Sequence, residues 1–401
     1  MSLPNAHNIN QMRVVQVNYP FDAALPTAGA LLDRYATLTG WAEAIAGAGA
    51  NVLTVQRFGT SSNVTRAGLP YTFGTFNEIA EATLRFRPDI VHVNGLEFPI
   101  WTWELRRWLA PRTAIVVQSH ADGGTVGRAP RLAGAATRRV ADALLFAVPE
   151  HAQTWRDAGL VARGTPVFAV MPASTSIRAV DRDAARSASG VTGDPAVLWV
   201  GRLNANKDPL TVLDGFERFA SRATGATLSM VYHDGDLAAA VRARVLASDA
   251  LRGRVRLVGE VPHDRIATFF SAADIFVVGS HHEGSGYALM EALACGATAV
   301  VSEIPTFRAL VSGTHPSGTG DGPELYPSRT RVGHLWPPGD ADACARALER
   351  AAATADRQHV IDHFERNLTW DAVGKRAVEI YGEVSSAKGD GRREQGIGNR
   401  E

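Results

Sequence analysis

Short apolar runs, each followed by a stretch with helical spacing, recur along the chain in two series, and this alternation is what most restricts the fold. Residues 12–19, 51–58, 89–95, 114–120, 143–148 and 167–171 form the first series of runs. Residues 196–201, 227–233, 254–259, 274–280 and 297–302 form the second. Strands alternating with helices pack as a parallel sheet covered on both faces. The central runs look apolar on both faces, as buried parallel strands do. Between the series, residues 176–195 are polar and poor in large apolar side chains, and they read as an inter-domain linker. Residues 312–330 are rich in Gly, Pro and Ser and read as a surface loop. No repeat of solenoid or propeller period is present.

The 401 residues suffice for two domains. Basic and acidic residues number 41 each, and this zero balance argues against a dedicated nucleic-acid binder. Cys295 and Cys344 are the only cysteines, which excludes a disulfide framework or a cysteine-rich metal site. The first eleven residues lack the basic-then-apolar layout of a signal peptide. No apolar run approaches the roughly 20 residues needed to span a bilayer. A soluble, cytoplasmic protein is expected.

Candidate chemistry concentrates in the second series. The run 274–280 leads through His281, His282 and Glu283 to Gly284-Ser285-Gly286, and a helix is expected from Tyr287 to Cys295. A helix N-terminus with flexible glycines before it suits a phosphate. Glu291 lies two turns along, roughly 10 Å from the turn, about the span from a diphosphate to its ribose. Glu283 stands at the mouth of the turn, where an attached sugar would lie. The plainer reading makes Glu291 a solvated helix residue and Glu283 a loop charge, although a glutamate between such apolar neighbours needs a partner if buried. Upstream, Arg202 and Lys207 flank another strand-to-helix turn, with Asp208-Pro209 as cap and first helical residue. The two cations could neutralise a diphosphate, or could simply be exposed charges in a polar loop.

The segments VGRLNANKDP and EGSGYALMEALACGATAVV, joined by GEVPHDRIATFFSAADIFVVGSHHEG, resemble family four of the glycosyltransferases, the retaining group with the GT-B fold. The likeness continues through residues 332–348 and 367–381 and is looser in the first half. Ser285 departs from the family's usual phenylalanine, and residues 230–236 lack its common glycine-rich turn. The resemblance implies two Rossmann-like domains facing across a cleft: an acceptor domain at 1–176 and a nucleotide-sugar donor domain at 177–366. It also implies a C-terminal helix at 367–384 packing back on the first domain; residues 385–401 read as a disordered tail.

By the same resemblance, Arg202 and Lys207 bind the donor diphosphate, with help from the backbone of Gly284, Ser285, Gly286 and Tyr287. Glu291 holds the ribose and Glu283 the hydroxyls of the transferred sugar. His120 matches a histidine facing that sugar, and Gly29 the glycine of a loop beside the phosphates, though the family's paired glycines are absent. The implied partners are a nucleotide-sugar donor and a hydroxyl acceptor, with membrane contact only for a lipid-linked acceptor.

Weaker features leave readings open. Trp101, Trp103 and Trp108, with Arg106, Arg107 and Arg112, could stack acceptor sugars or touch a membrane, or serve as packing of a peripheral helix. Arg128, Arg131, Arg138 and Arg139 could attract an anionic acceptor or form a solvated face. Three D-x-D strings (Asp181/Asp183, Asp234/Asp236, Asp340/Asp342) fall outside the half in which the other glycosyltransferase fold would hold a metal, so no essential metal or cofactor is expected. Rival functions are a sugar phosphorylase or nucleotide-sugar epimerase on the same architecture, and a catalytically silent nucleotide-sugar-binding homologue.

Overall fold

The computed structural model describes residues 12–120, 138–312 and 332–397. Arg128 and Arg131, nearly all of the 312–330 segment and the first eleven residues therefore lie outside the described residues. Residues 12–174 and the C-terminal helix Trp370–Ile397 belong to one compact unit, and residues 175–369 to the other.

The first unit is built on β1 (Arg13–Asn18), β2 (Asn51–Arg57), β3 (Ser62–Arg66), β4 (Leu69–Gly74), β5 (Ile90–Asn94), β6 (Ala114–Gln118), β7 (Ala143–Phe146) and β8 (Val167–Ala169). They form an eight-stranded sheet in the order β3-β4-β2-β1-β5-β6-β7-β8, parallel except for the β3–β4 hairpin. Sequence reading misses that hairpin because its two-residue turn is Ala67-Gly68, with Ala67 at φ 50 where Asn or Asp is the usual signal. Val15, Val17, Val91, Val93 and Ile115 are buried on one face of the sheet. The other face corrects the expectation of strands apolar on both sides. Gln16, Asn18, Gln56 and Gln118 are buried there, towards the carboxyl ends of their strands.

The C-terminal helix lies along the helix Ala36–Gly47. A methyl at Gly374 would overlap the Ala44 carbonyl, so the absence of a side chain is what lets the two helices approach. Tyr381 is buried beside Trp41 and His92, and Val384 is buried as well. The helix does not stop at 384 as expected. Lys388 pairs with Asp142, a contact that a reading based on polar composition cannot anticipate, and helix continues through Ile397.

The second unit holds β9 (Ala196–Arg202), β10 (Thr227–His233), β11 (Val255–Gly259), β12 (Ile275–Val278), β13 (Thr298–Ser302) and β14 (Gly333–Trp336). The sheet is parallel throughout, in the order β11-β10-β9-β12-β13-β14. Val197, Trp199, Phe216, Ile275 and Val300 anchor its core. Residues 176–195 are not a plain linker. They contain the helix Arg182–Ser189, capped by Asp181 and ended by Gly190 in the left-handed conformation. Arg182 and Arg186 both pair with Asp274, which ties this polar helix to the second unit.

The helix approach gives a test. Gly374→Ala should destabilise the protein by about 1–3 kcal/mol through overpacking, read as a shift in the urea midpoint. An unchanged midpoint would show that the helices do not pack as described.

Candidate functional site

In the second unit the strand order reverses between β9 and β12, and open α/β sheets bind ligands at the carboxyl ends of the strands flanking such a switch. Arg202 ends β9, and the 280–286 loop follows β12. Arg202 is exposed to solvent, with no ion pair among the described residues. Lys207 turns instead onto Glu283 and forms an ion pair with its carboxylate. Ser280 Oγ donates to the same carboxylate oxygen at 2.8 Å. The Thr306 hydroxyl donates to the Glu283 carbonyl at 2.6 Å, so both ends of this residue are held.

The two loops are stitched together through Asn206, whose side chain donates to the His282 carbonyl at 3.1 Å and accepts from the His282 amide at 3.0 Å. Asp208 has a left-handed φ of 42 yet caps the helix Pro209–Ala220. His281 Nε2 lies 3.3 Å from its second oxygen. A non-glycine residue in that conformation costs on the order of 1–2 kcal/mol, and such strain tends to sit at functional sites.

The helix after the loop runs from Tyr287 to Ala294, and its N-cap is Gly286 at φ 66. A Cβ there would stand 2.8 Å from Leu310 Cδ1 and 3.3 Å from Phe307, so both backbone and space demand glycine. Gly286 provides no side-chain cap for the first-turn N–H groups, which suits an anion. Gly284 is half-buried, Ser285 is buried, and Tyr287 is exposed. Glu291 is neither solvated nor well paired. Its side chain is 12% exposed, and among the described residues its ion-pair partner is the exposed His263 ring, at 3.9 Å. Burial pushes its pKa up from 4.5 to about 7.

In the first unit, His120 lies just past β6, with Nε2 3.3 Å from Asn94 Oδ1. Asn94 belongs to a buried chain of hydrogen bonds. Trp41 Nε1 donates to the Tyr381 hydroxyl at 3.3 Å, and that hydroxyl reaches His92 Nδ1 at 2.6 Å. Asn94 Oδ1 can only accept, so His92 Nε2–H donates to it at 3.1 Å, and Nδ1 of the neutral ring accepts from the Tyr381 hydroxyl. Burial pushes the His92 pKa down to about 4, which keeps the ring neutral as this direction of donation requires. Gly29 is the second residue of the helix Ala28–Arg34, in open surroundings rather than in a loop.

Sequence reading thus named the charged groups of the second unit but missed Ser280, Asn206, His281 and Thr306, which position them. The signal was proximity to Glu283 and Lys207 alone. The D-x-D strings have structural work: Asp181 and Asp340 are N-caps, and Asp234 pairs with Arg242. Among the described residues no group of three or more His, Cys, Asp or Glu could share a metal ion, and no helix is long and apolar enough to cross a membrane. Trp101 stacks on Phe98 at 5.6 Å, whereas Trp103 and Trp108 are exposed.

Two parallel α/β units of this kind define the GT-B fold. Over 94% of its length the chain superposes on sucrose-phosphate synthase from Thermosynechococcus elongatus, covering 100% of that chain, with a TM-score of 0.61 at 18% identity. Residues 194–354, which lie within the second unit, match the family described as glycosyl transferases group 1. Among relatives, 2-deoxystreptamine N-acetyl-D-glucosaminyltransferase of Streptomyces fradiae is 32% identical over 215 residues, 51% of this chain and 47% of the relative. D-inositol 3-phosphate glycosyltransferase 2 of Catenulispora acidiphila is 30% identical over 50% of this chain and 46% of the relative. The chain thus matches about half the length of these relatives.

Burial of Glu291 makes stability depend on pH. Its folded pKa is raised above the unfolded value, so the unfolded state binds fewer protons over the interval between them. Stability relative to Glu291→Gln should therefore fall as pH rises from about 4.5 to about 7 and level off above it. The total is on the order of 3 kcal/mol. Denaturation of both proteins at several pH values checks this, and parallel curves would place the carboxylate in solvent.

Proposed function

We propose that the chain transfers a glycosyl group from a nucleoside diphosphate sugar to a hydroxyl acceptor, with retention at the anomeric carbon and without an essential metal, in the cytoplasm. One observation carries the reading: at the switch point of the second unit, Lys207 meets Glu283 beside a glycine-capped helix start, with half-buried Glu291 further along the same helix. Retention rests on the family resemblance of the Glu283–Glu291 spacing.

In this reading Arg202, Lys207 and the first-turn N–H groups stabilise the charge that grows on the departing diphosphate. Glu291 in its ionised form accepts both ribose hydroxyls. Glu283, fixed by Ser280 and Lys207, accepts from hydroxyls of the transferred sugar. An oxygen of the departing phosphate takes the proton of the incoming hydroxyl on the same face of the sugar, so no side-chain base is needed.

The Lys207–Glu283 pair makes the two glutamates separable. Glu291→Gln should weaken nucleoside diphosphate binding about 10-fold or more, since an amide accepts less strongly than a carboxylate. Glu283→Gln should leave that affinity unchanged or improve it, because Lys207 loses its competing partner, while turnover with the true donor falls about 100-fold. Calorimetry and turnover on both variants test this. Equal losses of nucleotide affinity would refute the assignment.

Metal independence has its own test. Turnover should persist in excess EDTA; its complete loss, with recovery on adding magnesium or manganese, would contradict the reading.

A further inference from the structure

The first unit contains a cavity of about 450 Å³ that the charged cluster of the second unit does not explain. That size lies within the range of small-molecule sites, roughly 300–1,000 Å³. Its polar wall is written in the strand register. Gln56 on β2 pairs with Asn18 on β1, Asn18 with Asn94 on β5, and Asn94 with Gln118 on β6. Four amides therefore stand in one row across four adjacent strands, on one face, at their carboxyl ends. Gln16 lies one step behind, two residues before Asn18 on that face.

Part of this row is spent on the protein itself. Asn94 donates to Asn18 Oδ1 at 2.6 Å, and Gln56 Nε2 donates to the Pro20 carbonyl at 2.6 Å. The rest is not. Gln118 is fully buried against His92, and among the described residues neither its nitrogen nor its oxygen meets a partner at good hydrogen-bond geometry. Gln16 Nε2 is likewise buried and without a partner. Buried amides are almost always paired, so those left open towards a cavity mark groups that something else satisfies.

The charges of the lining choose the ligand. Among the described residues that line it there is no lysine or arginine, whereas Asp22 and Glu97 supply two carboxylates. Trp41 and Phe98 add flat apolar surface. A hydroxyl both donates and accepts, as an amide does, and a ring with hydroxyls at its edge and C–H groups on its faces fits amides and aromatics together. A phosphate or carboxylate would meet two like charges and no cation.

We propose that this cavity is the acceptor site and takes a polyhydroxylated ring that carries no anionic group, neutral or bearing amines. The assignment of it as the acceptor side rests on the glycosyltransferase reading; the chemistry of its ligand does not.

The test is saturation-transfer NMR on the full chain with four probes: myo-inositol, D-glucosamine, glucose 6-phosphate and inositol 1-phosphate. The two unphosphorylated rings should receive saturation and the two phosphates much less. Gln118→Leu should weaken binding of the unphosphorylated rings about 10-fold or more, with an unchanged or higher Tm because an unpaired buried amide has been removed. Should that variant fail to fold, Gln118→Glu offers a second readout, in which preference for glucosamine over inositol rises. Absence of saturation with every probe, phosphates bound as well as the unphosphorylated rings, or wild-type binding in a folded Gln118 variant would each overturn the proposal. Nucleoside diphosphate titration of the same samples separates the two claims. Lost polyol binding with nucleotide binding intact sinks only this site, and the reverse sinks only the transferase reading.

Discussion

A parallel strand buried on both faces has one place to show polar groups without disrupting its core, and that is its carboxyl end. Where strand order reverses, neighbouring connections leave in opposite directions and open a crevice between those ends. Both units obey this constraint. In the second, β9 and β12 flank the reversal, and the loops that follow them carry Lys207 and Glu283. In the first, β1 and β5 flank it, and their last residues, Asn18 and Asn94, are hydrogen-bonded to each other. The chain thus gathers polar side chains twice at equivalent points of two related sheets. One is furnished with charges and a helix N-terminus, the other with amides.

Both sites are expensive for the fold. Among the described residues Glu291 is largely withdrawn from solvent without a close partner, Asp208 holds a left-handed backbone, and the Gln16 amide nitrogen is buried and unpaired. Each costs on the order of 1–3 kcal/mol by general experience of strain and unsatisfied groups, a large part of a typical total stability of 5–15 kcal/mol. The apolar faces opposite offset this, with strands such as β6, β7 and β12 buried along their full length. A site that is costly without ligand can return that cost when a bound molecule supplies the missing hydrogen bonds.

The fold class was legible because parallel strands announce themselves as apolar runs between helical stretches, and the charged residues proposed for the second unit were nameable because charges near glycines stand out. What escaped the sequence did so for physical reasons. The β3–β4 hairpin turns on Ala67-Gly68, a weak signal. The helix Arg182–Ser189 buries only Ala185 and Ser189, too small to mark a core face, and the ion pairs of Arg182 and Arg186 with Asp274 that tie it down are not visible in the sequence. The amide row is written as Q or N two residues apart or singly at strand ends, in QVN, TVQ, HVN and VVQ, each unremarkable alone. Only the register shows that they fall side by side. Likewise, Lys207 and Glu283 were legible as separate charges, and their pairing was not.

The central claim is that the carboxyl ends of β9 and β12 bind the nucleotide part of a glycosyl donor. Hydrogen–deuterium exchange with a panel of nucleoside diphosphates tests it most directly, because it reports where a ligand sits as well as whether it binds. At least one nucleotide should slow exchange in residues 202–208 and in residues 284–291, the start of the helix Tyr287–Ala294, and leave the strands of the first unit unchanged. No protection with any nucleotide, or protection confined to the amide cavity, would contradict the account.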